Sequence, residues 1–158
     1  RGGRFSIVLR APDGTVTPLG ENTFSEMGPT FSPDGRYLAY VSDETGEPEV
    51  YIRSFPGPGA KWPISRGGGR EPVWSRDGTA LFYLAPDTNM MRVDVQTGET
   101  FEAGIPAPVF QVSLRPVTQE SRYWLAPDGE RLLLLGSLQG ESTPPTTVVL
   151  NWTAELAR

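Results

Sequence analysis

The apolar positions of this chain fall in short runs that are separated by turns rich in glycine and proline. Residues 37–42, 80–84 and 132–135 are the clearest runs, and each is too short for a typical helix. In each run apolar residues occupy both faces of the predicted strand, which is typical of strands buried on both sides. The pattern therefore predicts an all-β fold made of many short antiparallel strands.

Three of these runs belong to a sequence repeat. Its copies are FSPDGRYLAYVSD at residues 31–43, WSRDGTALFYLAPD at 74–87 and LAPDGERLLLLGS at 125–137. The aspartates of the three Asp-Gly pairs, Asp34, Asp77 and Asp128, lie 43 and 51 residues apart. A repeat of about 40–50 residues with four predicted strands matches one blade of a β-propeller.

The repeat predicts a partial β-propeller of about three and a half four-stranded antiparallel blades. We expect the end of one blade at residues 1–24, a complete blade at 25–66, a blade plus an insert at 67–119, and an incomplete last blade with a tail at 120–158. The insert, residues 104–119, is expected to be a crossing segment or a long loop.

The Asp-Gly pair has the residue types of a site, but its repetition favours a structural role. Pro33 presets the backbone of a type I turn, Asp34 tolerates the next position, and Gly35 accepts a positive φ at low cost. A residue needed for one reaction would occur once, whereas a turn residue occurs at every turn. We therefore interpret Asp34, Asp77 and Asp128 as turn residues.

Composition removes several kinds of chemistry from this chain. It contains no Cys and no His, which excludes thiolate metal sites, cysteine nucleophiles and a Ser-His-Asp triad built from these residues alone. The formal net charge of -5 disfavours nucleic acid as a partner. No apolar stretch approaches the ~18 residues of a membrane span, so we expect no membrane insertion. We predict no catalytic residue, no metal site and no cofactor.

Two polar stretches have an ion-binding interpretation and a plainer one. Residues 43–49 carry four carboxylates without the spacing of an EF-hand, so we interpret them as a solvated turn. These carboxylates are Asp43, Glu44, Glu47 and Glu49. The glycines of SRGGGRE, residues 65–71, offer backbone amides to an anion, but glycine clusters usually mark loops, and we interpret this one as a connector between blades.

Charged residues just ahead of the first strand of each blade are the candidates for binding. In a propeller these positions approach the mouth of the central channel, and loops on a rigid scaffold often carry function. The candidates are Glu26, Arg70, Glu71, Glu120 and Arg122. The sequence assigns no individual role to any of them.

The repeat resembles the WD-repeat-like units of TolB-type β-propellers. Those units read Pro-x-Trp/Phe-Ser-Pro-Asp-Gly, then an apolar strand, then Ser-Asp, then a strand similar to EIYV. The first copy matches at Pro29, Phe31, Ser32, Asp34, Gly35, Ser42, Asp43, Val50 and Tyr51, and the second at Pro72, Trp74, Ser75, Asp77 and Gly78. The third copy departs, with Leu125 and Ala126 in place of the aromatic residue and Ser. The resemblance implies the fold and leaves the function open.

A narrower resemblance concerns the last part of the chain. ESRYWLAPDGERLLLL at residues 120–135 and TTVVLNWTAEL at 146–156 resemble the C-terminal end of bacterial proteins in which a serine/threonine kinase domain is joined through a membrane segment to a TolB-like propeller. This resemblance implies a non-catalytic binding or sensing scaffold that forms the C-terminal part of a larger bacterial protein. It also implies a periplasmic or otherwise extracytoplasmic location and a protein or peptide partner.

Two other functional hypotheses stay open. The chain is alternatively the propeller that gates substrate in a prolyl-oligopeptidase-like serine peptidase, with the catalytic domain elsewhere. A propeller hydrolase or lactonase is disfavoured because such enzymes commonly use His or a cluster of carboxylates and Asn. Independently of function, open sheet edges and half-exposed apolar faces at the ends of a partial propeller predict self-association.

Overall fold

All regular structure in the described part of the chain is β-strand. The structure, a computed structural model, describes residues 3–20, 23–57, 59–98, 100–111, 123–126 and 131–134. Its strands are β1 (Val8–Arg10), β2 (Val16–Pro18), β3 (Glu26–Phe31), β4 (Tyr37–Ser42), β5 (Glu49–Ser54), β6 (Lys61–Pro63), β7 (Arg70–Trp74), β8 (Ala80–Leu84), β9 (Asn89–Thr97), β10 (Phe101–Ala103), β11 (Ala107–Gln111), β12 (Tyr123–Leu125) and β13 (Leu132–Leu134).

The strands pair antiparallel in the order that the repeat predicts. The sheet β3-β4-β5-β6 is the first blade, and the sheet β7-β8-β9-β10 is the second blade. Two smaller sheets flank them in sequence, the N-terminal hairpin β1-β2 and the C-terminal hairpin β12-β13. The all-β class and the partial-propeller architecture are confirmed. No helix among the described residues is long and apolar enough to cross a membrane.

The insert after the second blade contains a strand, which corrects the expectation of a crossing segment or loop. β9 is nine residues long, and its outer edge is shared by two short strands. β10 pairs with Val95–Thr97, while β11 pairs with Asn89–Arg92. The long β9 exposes more edge than one short strand can cover, so residues of the insert supply the second partner. The remaining residues of the insert, 112–119, lie outside the described part.

The two blades are joined through a dry apolar interface. Tyr37, Ala39 and Val41 of β4 point toward the second blade, where Leu81 and Tyr83 of β8 meet them in one buried cluster. Period-2 alternation puts the other side chains of β8 on the opposite face. There they pack against the C-terminal hairpin, in a second buried cluster that contains Phe82, Leu84, Tyr123 and Leu132.

The first Asp-Gly turn is held by a local network of hydrogen bonds. The amide of Gly35 donates to the carbonyl of Ser32 at 2.8 Å, which closes the turn. The Asp34 carboxylate accepts from the Ser32 hydroxyl at 2.6 Å and from the amide of Arg36 at 3.1 Å. The hydrogen bond from Ser32 holds the pKa of Asp34 below its usual value. Gly35 has φ of 70°, the left-handed conformation that the sequence required of it.

The second turn repeats this network. Gly78 donates to the carbonyl of Ser75 at 3.0 Å, and Asp77 accepts from the Ser75 hydroxyl at 2.7 Å and from the amide of Thr79 at 3.0 Å. The interpretation as turn residues is therefore confirmed for the first two aspartates. Asp128 lies outside the described residues.

Candidate functional site

A polar cleft separates the first blade from the N-terminal hairpin. Its volume is ≈ 420 Å³. Two hydrogen bonds tie the hairpin region across it: Arg53 donates to the Leu19 carbonyl at 2.7 Å, and the amide of Glu26 donates to the Phe5 carbonyl at 2.9 Å. The residues that give the cleft its chemistry are Glu26, Tyr40, Glu44, Arg53 and Lys61, and Phe24 adds an apolar wall.

Strand register explains why these side chains share one face. Tyr40 of β4 lies opposite Tyr51 of β5, and Arg53, two residues further along β5, lies opposite Lys61 of β6. Residues that are two apart on a strand, or directly opposite on neighbouring strands, project from the same side of a sheet. The face turned toward the hairpin is therefore lined by aromatic and charged side chains.

The single ammonium group of the cleft is already paired. Lys61 Nζ lies 2.5 Å from a carboxylate oxygen of Glu44 and 4.9 Å from the centroid of the Tyr51 ring. Exposed pairs of this kind contribute little to stability, about 0–1 kcal/mol. The pairing fixes the position of both side chains at one end of the cleft and leaves Glu26 as the carboxylate without such a partner among the described residues.

Glu26 has the electrostatics of a partly desolvated acid. Burial raises the pKa of the Glu26 carboxyl, the charges of Arg53 and Lys61 oppose that shift, and the charge of Glu44 adds to it. Within the described ranges no hydrogen bond reaches the Glu26 carboxylate. It packs against Gly20, where a Cβ would lie 2.7 Å from one of the carboxylate oxygens, so glycine at that position makes room for the acid.

Two phenols and one buried hydroxyl lie on the same face of the sheet as Glu26. Burial, and then the charge of Glu26, raises the pKa of Tyr40, and burial and the charge of Glu44 raise the pKa of Tyr51. Ser42 lies opposite Glu26 in the strand register, is 1% exposed, and its hydroxyl has no hydrogen-bond partner in the described part of the chain. An unsatisfied buried hydroxyl costs about 1–3 kcal/mol, but Ser42 itself does not line the cleft.

At the cleft the first copy of the repeat differs from the second in residue type. Leu38 pairs with Arg53 in the first blade, and Leu81, at the same place in the next copy, pairs with Val93 in the second blade. Val93 is fully buried, at 0% exposure, in the interface with the first blade. A guanidinium thus occupies a position that the fold otherwise fills with an apolar side chain.

The structure separates the charged residues that the sequence suggested for binding. Glu26, the first residue of β3, lines the cleft. Arg70 and Glu71 begin β7, do not line the cleft, and lie beside a bulge at which Glu71 takes φ of 55°. The carbonyl of Glu71 accepts a hydrogen bond from the buried hydroxyl of Tyr123. Glu120 and Arg122 lie outside the described residues, and a role at a channel mouth stays a prediction for all five residues.

Sequence reasoning missed the other members of the cleft. Tyr40, Arg53 and Lys61 were not singled out, and Glu44 was assigned to a solvated turn. The available signal was Arg53, because it interrupts an apolar position of the repeat. That signal becomes visible only when strands of the two blades are aligned by register, since the turn before β9 is shorter than the turn before β5.

The solvated-turn interpretation is wrong for Glu49. Its side chain is buried and accepts hydrogen bonds from the amides of Gly67 and Gly68 at 2.8 and 2.9 Å, and from the hydroxyl of Ser65. The amide of Val50 donates to that same hydroxyl at 2.7 Å. SRGGGRE is therefore a connector that cradles an anion, but the anion is a carboxylate of this chain. The hydroxyl–carboxylate pair is enclosed, which makes its role structural.

The other carboxylates of the predicted turn are also partly engaged. Asp43 accepts from the amide of Ser25 at 2.8 Å, and Glu44 is paired with Lys61. Glu47 is exposed. Among the residues that the structure describes, no group of three or more His, Cys, Asp or Glu side chains is arranged to hold a metal ion.

Repeat, register and sheet order together define a β-propeller, and the solved structures that resemble this one agree. An oligogalacturonate lyase from Vibrio parahaemolyticus matches with a TM-score of 0.53 and 16% identity, over 81% of this chain and 36% of that chain. TolB from Acinetobacter baumannii matches with a TM-score of 0.52 and 17% identity, over 86% of this chain and 44% of that chain. The chain thus spans less than half the length of either protein, and identities this low show the fold alone. No family model matches the chain.

Proposed function

We propose that this chain is a non-catalytic β-propeller segment that acts as a binding or sensing scaffold within a larger bacterial protein. A kinase-linked sensor or a TolB-like protein outside the cytoplasm is the context that the sequence resemblance favours. The observation that carries the proposal is the cleft beside the first blade, where charged and hydrogen-bonding side chains replace the apolar face of the repeat.

The carboxylate of Glu26, which forms no ion pair with the described residues, favours a cationic group on the ligand. Lys61 is paired with Glu44, and the two terminal nitrogens of Arg53 donate to the carbonyls of Leu19 and Gly57, so within the described residues neither cation forms an ion pair with Glu26. Glu26 is the carboxylate to which a ligand would supply an ion-pair partner. An ammonium beside it would offset the desolvation that raises the pKa of Glu26. A lysine side chain or a free amino terminus of a protein or peptide partner has this chemistry.

A binding role also suits the rigidity of the site. Strands β4, β5 and β6 present the side chains at fixed register, and the Arg53 guanidinium is held at 2.7 Å from the Leu19 carbonyl. Sites that are built on strands keep their groups in place better than loops do.

The test is an NMR titration of the full chain with the capped peptide acetyl-Ala-Lys-Ala-amide. We expect saturable shifts of the backbone amides at residues 19–20 and 23–26, and at least tenfold weaker binding when norleucine replaces lysine, because only the ammonium is lost. Glu26→Gln should weaken binding at least tenfold, whereas the exposed Glu47→Gln should not change it. Equal binding of the lysine and norleucine peptides, or no saturable shift at all, would contradict the cationic-ligand proposal.

A further inference from the structure

A second cleft, independent of the proposed function, opens between the outer parts of the two blades. Its volume is ≈ 560 Å³, within the range of about 300–1,000 Å³ that is usual for small-molecule sites. The residues around it come from the end of the first Asp-Gly turn, from β5 and β6, and from β10. They include Arg36, Tyr37, Ser54, Phe55, Trp62 and Phe101.

Three aromatic rings in mutual contact form the wall of this cleft. The centroids of Trp62 and Phe101 are 4.6 Å apart, those of Tyr37 and Phe101 5.1 Å, and those of Tyr37 and Trp62 6.1 Å. Tyr37 and Phe101 are buried, whereas Trp62 is only partly buried. The accessible part of the wall is therefore indole, a flat surface on which a planar ring can pack.

One guanidinium stands at the side of the aromatic wall. Arg36 donates to the Gly98 carbonyl at 2.8 Å, and its guanidinium carbon lies 5.9 Å from the centroid of the Tyr37 ring. This hydrogen bond engages one of the five N–H donors of the side chain. The anchored and exposed guanidinium keeps donors that can bind a carboxylate in the bidentate manner.

The fold itself does not require this combination. The positions of Arg36 and Tyr37 in the first copy of the repeat are occupied by Thr79 and Ala80 in the second. Trp62 lies opposite Ile52 in the first blade, and the residue opposite the corresponding Arg92 of β9 is Ala107 of β11. Aromatic residues and an arginine thus converge at one junction and are absent from equivalent positions of the next blade.

We propose that this cleft binds a small planar ring that carries a carboxylate, with the ring on Trp62 and the carboxylate on Arg36. The hydroxyl of Ser54 lies at the same cleft and offers a further polar contact to such a ligand. A free aromatic acid and the C-terminal residue of a peptide that ends in Phe share this chemistry. The partners of the ligand are side chains of the chain itself, and none of them belongs to the cleft that contains Glu26.

Titration of the full chain with phenylacetate, followed by calorimetry and by the indole N–H resonance of Trp62, tests the proposal. Trp62→Phe identifies that resonance by its loss. We expect saturable binding, at least tenfold weaker for the neutral phenylacetamide and at least tenfold weaker for Arg36→Gln. Arg66→Gln is the matched control, because Arg66 is exposed and lies away from the cleft, and it should bind as the wild type does.

A second probe distinguishes the two sources of the ligand. Tighter binding of acetyl-Gly-Phe than of phenylacetate would assign the cleft to peptide C-termini, and the reverse would assign it to free aromatic acids. Equal affinity for phenylacetate and phenylacetamide, or an unchanged affinity in Arg36→Gln, would overturn the proposal. A thermal unfolding curve of Arg36→Gln that matches the wild type ensures that any loss of binding reports on the site.

Discussion

Each of the two blades turns the same face of the repeat toward the part of the chain before it, which is the N-terminal hairpin for the first blade and the first blade for the second. The two faces differ in chemistry. In the second blade this face carries Leu81, Tyr83 and Val93, which are buried against the first blade. In the first blade the equivalent strands place Tyr40 and Arg53 beside a polar cleft. The face of the second blade is buried in the interface with the first blade, whereas the face of the first blade borders an open polar cleft.

The repeat therefore specifies the backbone and only part of the surface. Both faces have the same hairpin geometry and the same Asp-Gly turn network, so the backbone does not distinguish them. The two faces differ at one equivalent position, where the first blade has the charged Arg53 and the second blade has the apolar, buried Val93. Variants that exchange or neutralise charged groups of this region test how far the two blades differ.

The largest effect is expected from exchanging these two residues. Val93→Arg would bury a charge without a partner at a position with 0% exposure, and we expect a loss of about 3–5 kcal/mol or complete unfolding. Arg53→Val should cost less than about 1 kcal/mol, because water can replace the guanidinium at the Leu19 carbonyl. Urea unfolding monitored by Trp fluorescence measures both. Similar losses in the two variants would show that the faces do not differ as described.

An intermediate effect is expected at the connector between the blades. Glu49→Gln removes the charge from a buried carboxylate that accepts from Gly67, Gly68 and Ser65. Hydrogen bonds to charged groups are worth about 1.5–3 kcal/mol, and the amide nitrogen of Gln would face a donor. We expect a loss of about that size in the free energy of unfolding.

Glu47→Gln is the control for the connector, since it makes the same change of charge on an exposed side chain two residues away. It should alter stability by no more than about 0.5 kcal/mol. Equal stabilities of the two variants in urea unfolding would mean that the glycine amides do not depend on the charge of Glu49.

The propeller class and the roles of Asp34 and Asp77 followed from the sequence because they depend on local rules that recur. Short apolar runs between turns predict strands, and the Asp-Gly pair predicts a turn wherever it stands. The strand in the insert did not follow, because β11 forms by pairing with Asn89–Arg92, the first part of the long β9 edge. Its sequence, with Pro108 at the second of five positions, is typical of a loop or an edge strand.

The candidate site was less predictable because its members are distant in sequence and ordinary in type. Glu26 and Arg53 meet only through the pairing of β3, β4 and β5. The burial of Glu49 could not be anticipated either, since Asp43, Glu44 and Glu47 around it are typical of a solvated turn. Its burial depends on the hydrogen bonds that the amides of Gly67 and Gly68 donate from the connector between the blades.

The smallest effect, and the most specific to the cleft, is the pH dependence of Glu26. Burial raises the pKa of Glu26 above its ordinary 4.5, so the folded state holds this proton more tightly than the unfolded chain does. The stability that this group contributes is complete below pH 4.5 and is lost as the pH rises through the folded pKa. Glu26→Gln does not titrate, so relative to wild type it should gain stability over that interval and keep the gain at neutral pH.

The measurement is the difference in free energy of unfolding between Glu26→Gln and wild type across this pH range. A difference is needed because hydrogen bonds lower the pKa values of Asp34 and Asp77, which makes both proteins lose stability as the pH falls. A difference that stays constant, or that grows toward low pH, would contradict a desolvated Glu26. A bound ammonium should cancel it by restoring a partner to the ionised carboxylate, so repeating the series with the lysine peptide connects the proton to the ligand.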